Sequence, residues 1–194
     1  MLKAKNRSDK ILKEITVLIF IVFLGTGLFI FDDYGVTVDE PMDRQTGLVN
    51  LKFILQDLFQ RPIPDELLTI PDLLYYEDKD YGVILQFPTI LFEYFTNFRY
   101  DVSSIFKLRH LWTFLNFYIS VIFFNLLLYQ RFRNRLISLL GTFILIISPR
   151  IFADAFYNIK DLMFLSWFII GLFFLYRYIH HPTKRNCLMM DISI

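Results

Sequence analysis

Long uncharged runs dominate the hydrophobic pattern. Residues 15–31, 111–130 and 162–176, the last continuing past Arg177 to Ile179, contain no charged side chain. At about 1.5 Å per helical residue, each approaches or matches the ~30 Å of a bilayer's hydrocarbon core. A fourth run, residues 136–148, is too short alone. It reaches spanning length if the helix continues through Pro149 into Ile151, Phe152 and Ala153. The predicted fold is all-α. It is a multi-pass integral membrane helical bundle in one membrane domain, residues 1–194, with spans near 15–31, 111–130, 136–153 and 162–179. Interfacial helices are expected in a long first outer loop, residues 32–110.

Within that loop the periodicity changes. "GLVNLKFILQDLF" sets Leu48, Leu51, Leu55 and Leu58 at helical spacing, with Lys52, Gln56 and Asp57 away from them. That pattern predicts an amphipathic helix along a membrane surface. "RPIPDELLTIPDLLYYEDKD" has three prolines among many charges and reads as a loop of short turns. "YGVILQFPTILFEYF" is apolar but interrupted by Pro88, and predicts a second interfacial helix rather than a span.

Charge sets the orientation. Lys3, Lys5, Arg7, Lys10 and Lys13 precede the first span. Arg131, Arg133 and Arg135 lie between the second and third, and Lys184 and Arg185 follow the fourth. Lys and Arg favour the cytoplasmic side, so both termini are expected there, in the cytoplasmic (inner) membrane. Residues 32–110, with fourteen acids against seven bases, then share the outer face with the turn "SPRIFADAFYNIKD". A cleavable signal peptide is the competing reading of the N-terminus, but the apolar run continues through "LFIF" to span length. The composition, 55% hydrophobic with 23 Phe, agrees with a lipid environment. Cys187 is the single cysteine, so no internal disulfide forms. No phosphate-binding glycine loop, C-x-x-C or H-E-x-x-H is present, and the basic residues flank spans, so nucleic acid is not an expected partner.

Three groups of residues can carry chemistry. "DDYGVTVDEPMDR" crowds Asp32, Asp33, Asp39, Glu40 and Asp43 just outside the first span. Mutual repulsion raises carboxyl pKa values, which suits a general base, and the hard oxygens suit a divalent cation. A solvated acidic loop is the plain alternative. In the second group Arg150, Asp154, Asn158 and Asp161 fall on one stripe if the segment is helical, with Arg150 and Asp154 paired at i, i+4. Asp154 and Asp161 would then stand about 10 Å apart along the axis, too far to share a metal without a break in the helix. Arg150 and Lys160 are cations on the outer side, which an anionic ligand or the neighbouring acids would explain. The third group is Arg109 and His110, placed to hold a lipid phosphate or to anchor the helix at the interface. Asn116, Ser120 and Asn125 predict that one face of that span meets protein.

"DYGVTVDEP", "YGV", "LRHL" and "SPRIFADAFYNIKDLMF", in that order, resemble the start of a GT-C class membrane glycosyltransferase. The likeness is to the bacterial branch of protein mannosyltransferases and lipid A aminoarabinose transferases, and it runs to about Ile179. It implies transfer of a sugar from a polyprenyl-phosphate donor to an acceptor outside the cytoplasmic membrane, with inversion. Asp39 matches the acceptor-activating base, and Glu40 would orient the acceptor or support a cation. Asp154 and Asp161 match the acid of the second outer loop that faces a metal, Mg or Mn, or the donor phosphate, with one in direct contact. Arg109, His110, Arg150 and Lys160 are the phosphate-binding candidates. Members of this class generally carry many more spans, so the chain reads as an N-terminal portion, a truncation, frameshift product or split-gene piece. A C-terminal half is then an expected partner, and little activity is expected of the isolated chain. The rival expectation is a small four-helix membrane subunit that binds a partner through its outer loop. A proton or cation transporter is disfavoured because no span has an acid at its middle.

Overall fold

The computed structural model describes residues 2–98 and 100–193, with side chains from residue 7 onward. Lys3 and Lys5 therefore lie outside the described side chains. The helices are α1 (Leu2–Ile30), α2 (Asp39–Phe53), α3 (Phe87–Phe95), α4 (Val102–Phe132), α5 (Arg135–Ile147), α6 (Pro149–Tyr157), α7 (Asp161–His180) and α8 (Lys184–Ser193). No strand occurs among the described residues. Three helical stretches, Arg7–Ile30, Val102–Phe132 and Asp161–His180, are long and apolar enough to cross a membrane.

The fourth expected span is not one continuous helix. α5 and α6 pass the same test only as a pair, bent by 63°. Proline crowds the residue before it out of the helical region, and Ser148 is extended at φ −61°, ψ 113°. Pro149 then opens α6 at its first turn, where its missing N–H costs nothing.

Local chemistry sets the other boundaries. Arg133 ends α4 in the left-handed region at φ 52°, and Asn134 caps α5 by accepting from the N–H groups of Leu136 and Ile137. That two-residue connection folds α5 back against α4. α2 starts eight residues earlier than the leucine pattern indicated, because "TVDE" is a helix-start signal. The Glu40 carboxylate reaches back to the Thr37 N–H at 2.7 Å. Leu48, Leu51 and Leu55 are buried as expected, but Leu58 is exposed, because the helix widens into a π-type turn, Ile54–Leu58, that shifts its phase. Lys52, expected to face away, is buried with its ammonium held by Asp72 at 2.7 Å and the Ile70 carbonyl at 2.6 Å.

Two cores result. The first joins Phe23 of α1, Phe114, Phe117 and Val121 of α4, Ile146 of α5, Phe156 of α6 and Leu162 of α7. Gly27 lets the Phe114 ring approach the α1 backbone; a Cβ there would lie 1.9 Å from the ring. The second core sits within the long connection between α1 and α4, where Leu48, Leu51 and Leu55 pack on Leu67 and Ile90. Outside both, Leu18, Ile21, Val22 and Phe29 of α1, Leu140 and Ile144 of α5, and Phe164 and Phe168 of α7 are exposed. Apolar exposure on this scale is rare in soluble monomers.

Candidate functional site

The two acidic segments converge. A cavity of about 440 Å³ is lined by Thr37, Asp39, Met42, Asp43 and Thr46 from α2 and its entry, Asp78 and Tyr81 from the loop, and Tyr157, Asn158, Lys160 and Asp161 from the α6–α7 connection. Tyr34 ties the segments together by stacking on Phe156, ring centroids 4.5 Å apart, and Phe156 in turn stacks on Phe114 at 5.2 Å.

Adjacent residues on a helix point about 100° apart, and this separates Asp39 from Glu40. Asp39 is exposed in the cavity, and its carboxylate makes no hydrogen bond or ion pair among the described residues. Glu40 points the other way. It is 2% exposed and meets His110, 1% exposed, at 2.8 Å. The other ring nitrogen of His110 donates to the Phe31 carbonyl at 3.3 Å, and Glu40 also accepts from the Thr37 hydroxyl at 3.2 Å. Arg109 is buried too, donating to Gln86 at 2.9 Å and Thr89 at 3.2 Å. Arg109 and His110 are both buried, turned into the protein by α2 and α3.

Asp43 belongs to the acidic group read from the sequence but was given no role of its own there. One helical turn after Asp39, it shares that face and lines the cavity. Burial pushes its carboxyl above the ordinary value of 3.8; the negative charges of Asp39 and Glu40 add to this, while Arg109 and Lys160 oppose it. Asp78 and Tyr81 were missed, since nothing in "EDKDYG" marks a site until the loop folds back. The signal for Asp43 was present: recognising the helix start at "TVDE" puts Asp39 and Asp43 at i, i+4.

The second acidic segment keeps its pair but not its stripe. Arg150 and Asp154 lie 3.7 Å apart, with Arg150 90% exposed and Asp154 16%. α6 ends at Tyr157, and Asn158 leaves the helix at φ −88°, ψ 77°, so Asp161 does not continue the row. Instead Asn158 caps α7, its side-chain oxygen accepting from the Asp161 N–H at 2.8 Å and its amide donating to the Asp161 carboxylate at 3.2 Å. Lys160 lies over the Tyr81 ring, 3.8 Å from its centroid, at the cavity wall. Arg150 and Asp154 are not among the lining residues.

The acids do not form a ready cation cage. Among the described residues no three His, Cys, Asp or Glu side chains gather closely enough to hold a metal ion. Asp154 and Asp161 stand on different helices with different partners. No protein-family model, curated protein or solved structure matches this chain.

Proposed function

We propose that the chain is an integral membrane protein that contributes an outer-face site for moving a sugar from a polyprenyl-phosphate carrier to an acceptor hydroxyl. One observation supports this reading above the others: Asp39, Asp43, Asp161 and Lys160, drawn from segments far apart in sequence, line one water-accessible cavity beside the apolar helices. The cavity offers a base and a cation at the same rim. Asp39 takes the proton of the acceptor hydroxyl, and the oxygen attacks the anomeric carbon from the face opposite the phosphate. The bond from that carbon to the phosphate oxygen breaks, the polyprenyl phosphate leaves with the electron pair, and the sugar inverts. Lys160 offsets the negative charge growing on the departing phosphate. No step is routed through a divalent cation, because the carboxylates are not gathered as its ligands. Orientation follows the Lys and Arg distribution, with the cavity outside and both termini in the cytoplasm.

Glu40, His110 and Arg109 serve a different purpose in this reading: Glu40 and His110 hold α2 against α4, and Arg109 ties α4 to the start of α3, so that Asp39 and Asp43 face the cavity. Arg150 pairs with Asp154 on α6, away from the cavity lining.

The test is sugar release from a polyprenyl-phosphate donor by membranes containing the chain, together with any C-terminal half encoded beside it. Asp39→Asn should abolish transfer while the protein accumulates and unfolds like the parent. If Asp39→Asn transfers sugar at the parental rate, the assignment falls and a binding or structural membrane subunit becomes the better reading.

A further inference from the structure

The end of the bundle remote from the acidic cavity carries a second, basic one. α7 runs about 30 Å from Asp161 to His180 at ~1.5 Å per residue, so the two cavities lie at its opposite ends. This cavity, about 290 Å³, is lined by Gln130 and Arg133 from the end of α4 and by Tyr176, Arg177, His180 and His181 from the end of α7. No acid is among the lining residues. None of the four basic side chains enters an ion pair among the described residues.

Lys and Arg collect at the cytoplasmic rim of any span, and basic groups suit helix C-termini. Two features go beyond that. Arg133 occupies the left-handed position that closes α4, its N–H bonded to the Tyr129 carbonyl at 2.9 Å, with φ 52°. Glycine or asparagine adopts that conformation with less strain, so Arg133 holds this position at some cost to the backbone. The floor is also built. Tyr176 donates its hydroxyl to the Gln130 carbonyl at 3.3 Å, joining α7 to α4. The His180 ring stacks on Tyr176, centroids 4.2 Å apart, while its Nδ1–H donates to the Tyr176 carbonyl at 2.8 Å, which leaves Nε2 for a ligand.

We infer that Arg133, Arg177, His180 and His181 form a binding site for a phosphate group, in its natural setting the headgroup of an anionic lipid. Two guanidinium groups from two helices, with an imidazole in the same cavity lining, match the oxygens of a phosphate monoester by charge-assisted hydrogen bonds. Basic hollows between spans at the cytoplasmic face are where such headgroups collect. The site is separate from the proposed sugar-transfer cavity, but the lipid source rests on the membrane reading.

The experiment uses the full chain, purified in uncharged detergent and also placed in nanodiscs of phosphatidylcholine with or without phosphatidic acid. Inorganic phosphate is the probe in detergent, and thermal unfolding is the readout. Phosphatidic acid should raise the unfolding temperature above that in phosphatidylcholine alone. Arg177→Gln and Arg133→Gly should each weaken the response about tenfold or more, as expected for losing a charged hydrogen bond. Arg133→Gly relieves the backbone, so its loss of response cannot come from a damaged helix end. A response to inorganic phosphate but not to phosphatidic acid keeps the site and assigns it to a soluble phosphate. Absence of both responses, or variants that respond like the parent, overturns it. Failure to enter nanodiscs counts against the membrane reading alone, because the phosphate arm in detergent still decides the site.

Discussion

Glu40→Ala is the perturbation that separates a catalytic from a holding role for this carboxylate. In the structure Glu40 accepts from His110 at 2.8 Å, from the Thr37 N–H at 2.7 Å and from the Thr37 hydroxyl at 3.2 Å, with almost none of its surface in water. Removing it strands a buried imidazole and leaves the Thr37 N–H, just ahead of α2, without its partner. Leaving a buried polar group without its hydrogen-bond partner costs about 1–3 kcal/mol, more where the group is charged. His110→Ala should cost a similar amount, by stranding the carboxylate instead. Because both changes break the same contact, the double variant should cost less than the sum by about 0.5–3 kcal/mol. Unfolding in mixed micelles can be followed by Trp112, two residues along α4, whose indole donates to the Leu85 carbonyl at 2.9 Å and so senses the α4 and loop contact. Trp167→Phe removes the other reporter. A loss under about 1 kcal/mol for Glu40→Ala, or strict additivity with His110→Ala, would refute the argument that this pair fixes α2.

Two further outcomes follow from the packing and the electrostatics. Gly27→Ala should destabilise by about 1–3 kcal/mol, as overpacking does, because the new Cβ would meet the Phe114 ring at 1.9 Å. Gly25→Ala, which meets nothing within 4 Å, should be neutral or slightly stabilising in the same denaturation assay. Asp43 has a raised pKa in the folded state, so folding binds its proton more tightly. Its contribution is fully present below the ordinary value of 3.8 and is lost as pH rises through the higher folded value. Asp43→Asn should therefore flatten the stability profile in that window and stabilise the protein at neutral pH; an unchanged profile on titrating both proteins would contradict the burial argument.

The long helices were legible in the sequence because uncharged runs of this length have few other solutions. The α5–α6 break was less so. Its apolar residues continue across Pro149, and only the steric effect of proline on Ser148 decides that the chain turns by 63°. In the long α1–α4 connection the leucine spacing located the buried face of α2, while the helix start was carried by "TVDE" and missed. That one boundary hid the pairing of Asp39 with Asp43 and the opposite directions of Asp39 and Glu40. Arg109 and His110 were misplaced for a related reason. Charge near the end of an apolar run reads as interfacial until tertiary partners are known, and Gln86, Thr89 and Glu40 are distant in sequence.

The position of the acidic cavity explains why so many buried charges surround it. It lies at the seam between the core of the apolar helices and the small core of the α1–α4 connection. Hydrophobic packing sets distances between such units but, being non-directional, fixes their rotation poorly. α2 carries one wall of the cavity, so a rotation of one residue's worth would exchange Asp39 for Glu40. Directional contacts remove that freedom. Glu40 meets His110 on α4, and Arg44 grips Glu93 on α3 through its Nε and Nη2, the shortest contact being 2.6 Å. A buried pair of this kind adds little net stability over an apolar pair of the same shape, yet it tolerates only one register. The buried charges are thus better understood as setting the direction of α2 than as strengthening the fold, and the carboxylates of Asp39, exposed, and Asp43, half-buried, face the cavity as a consequence.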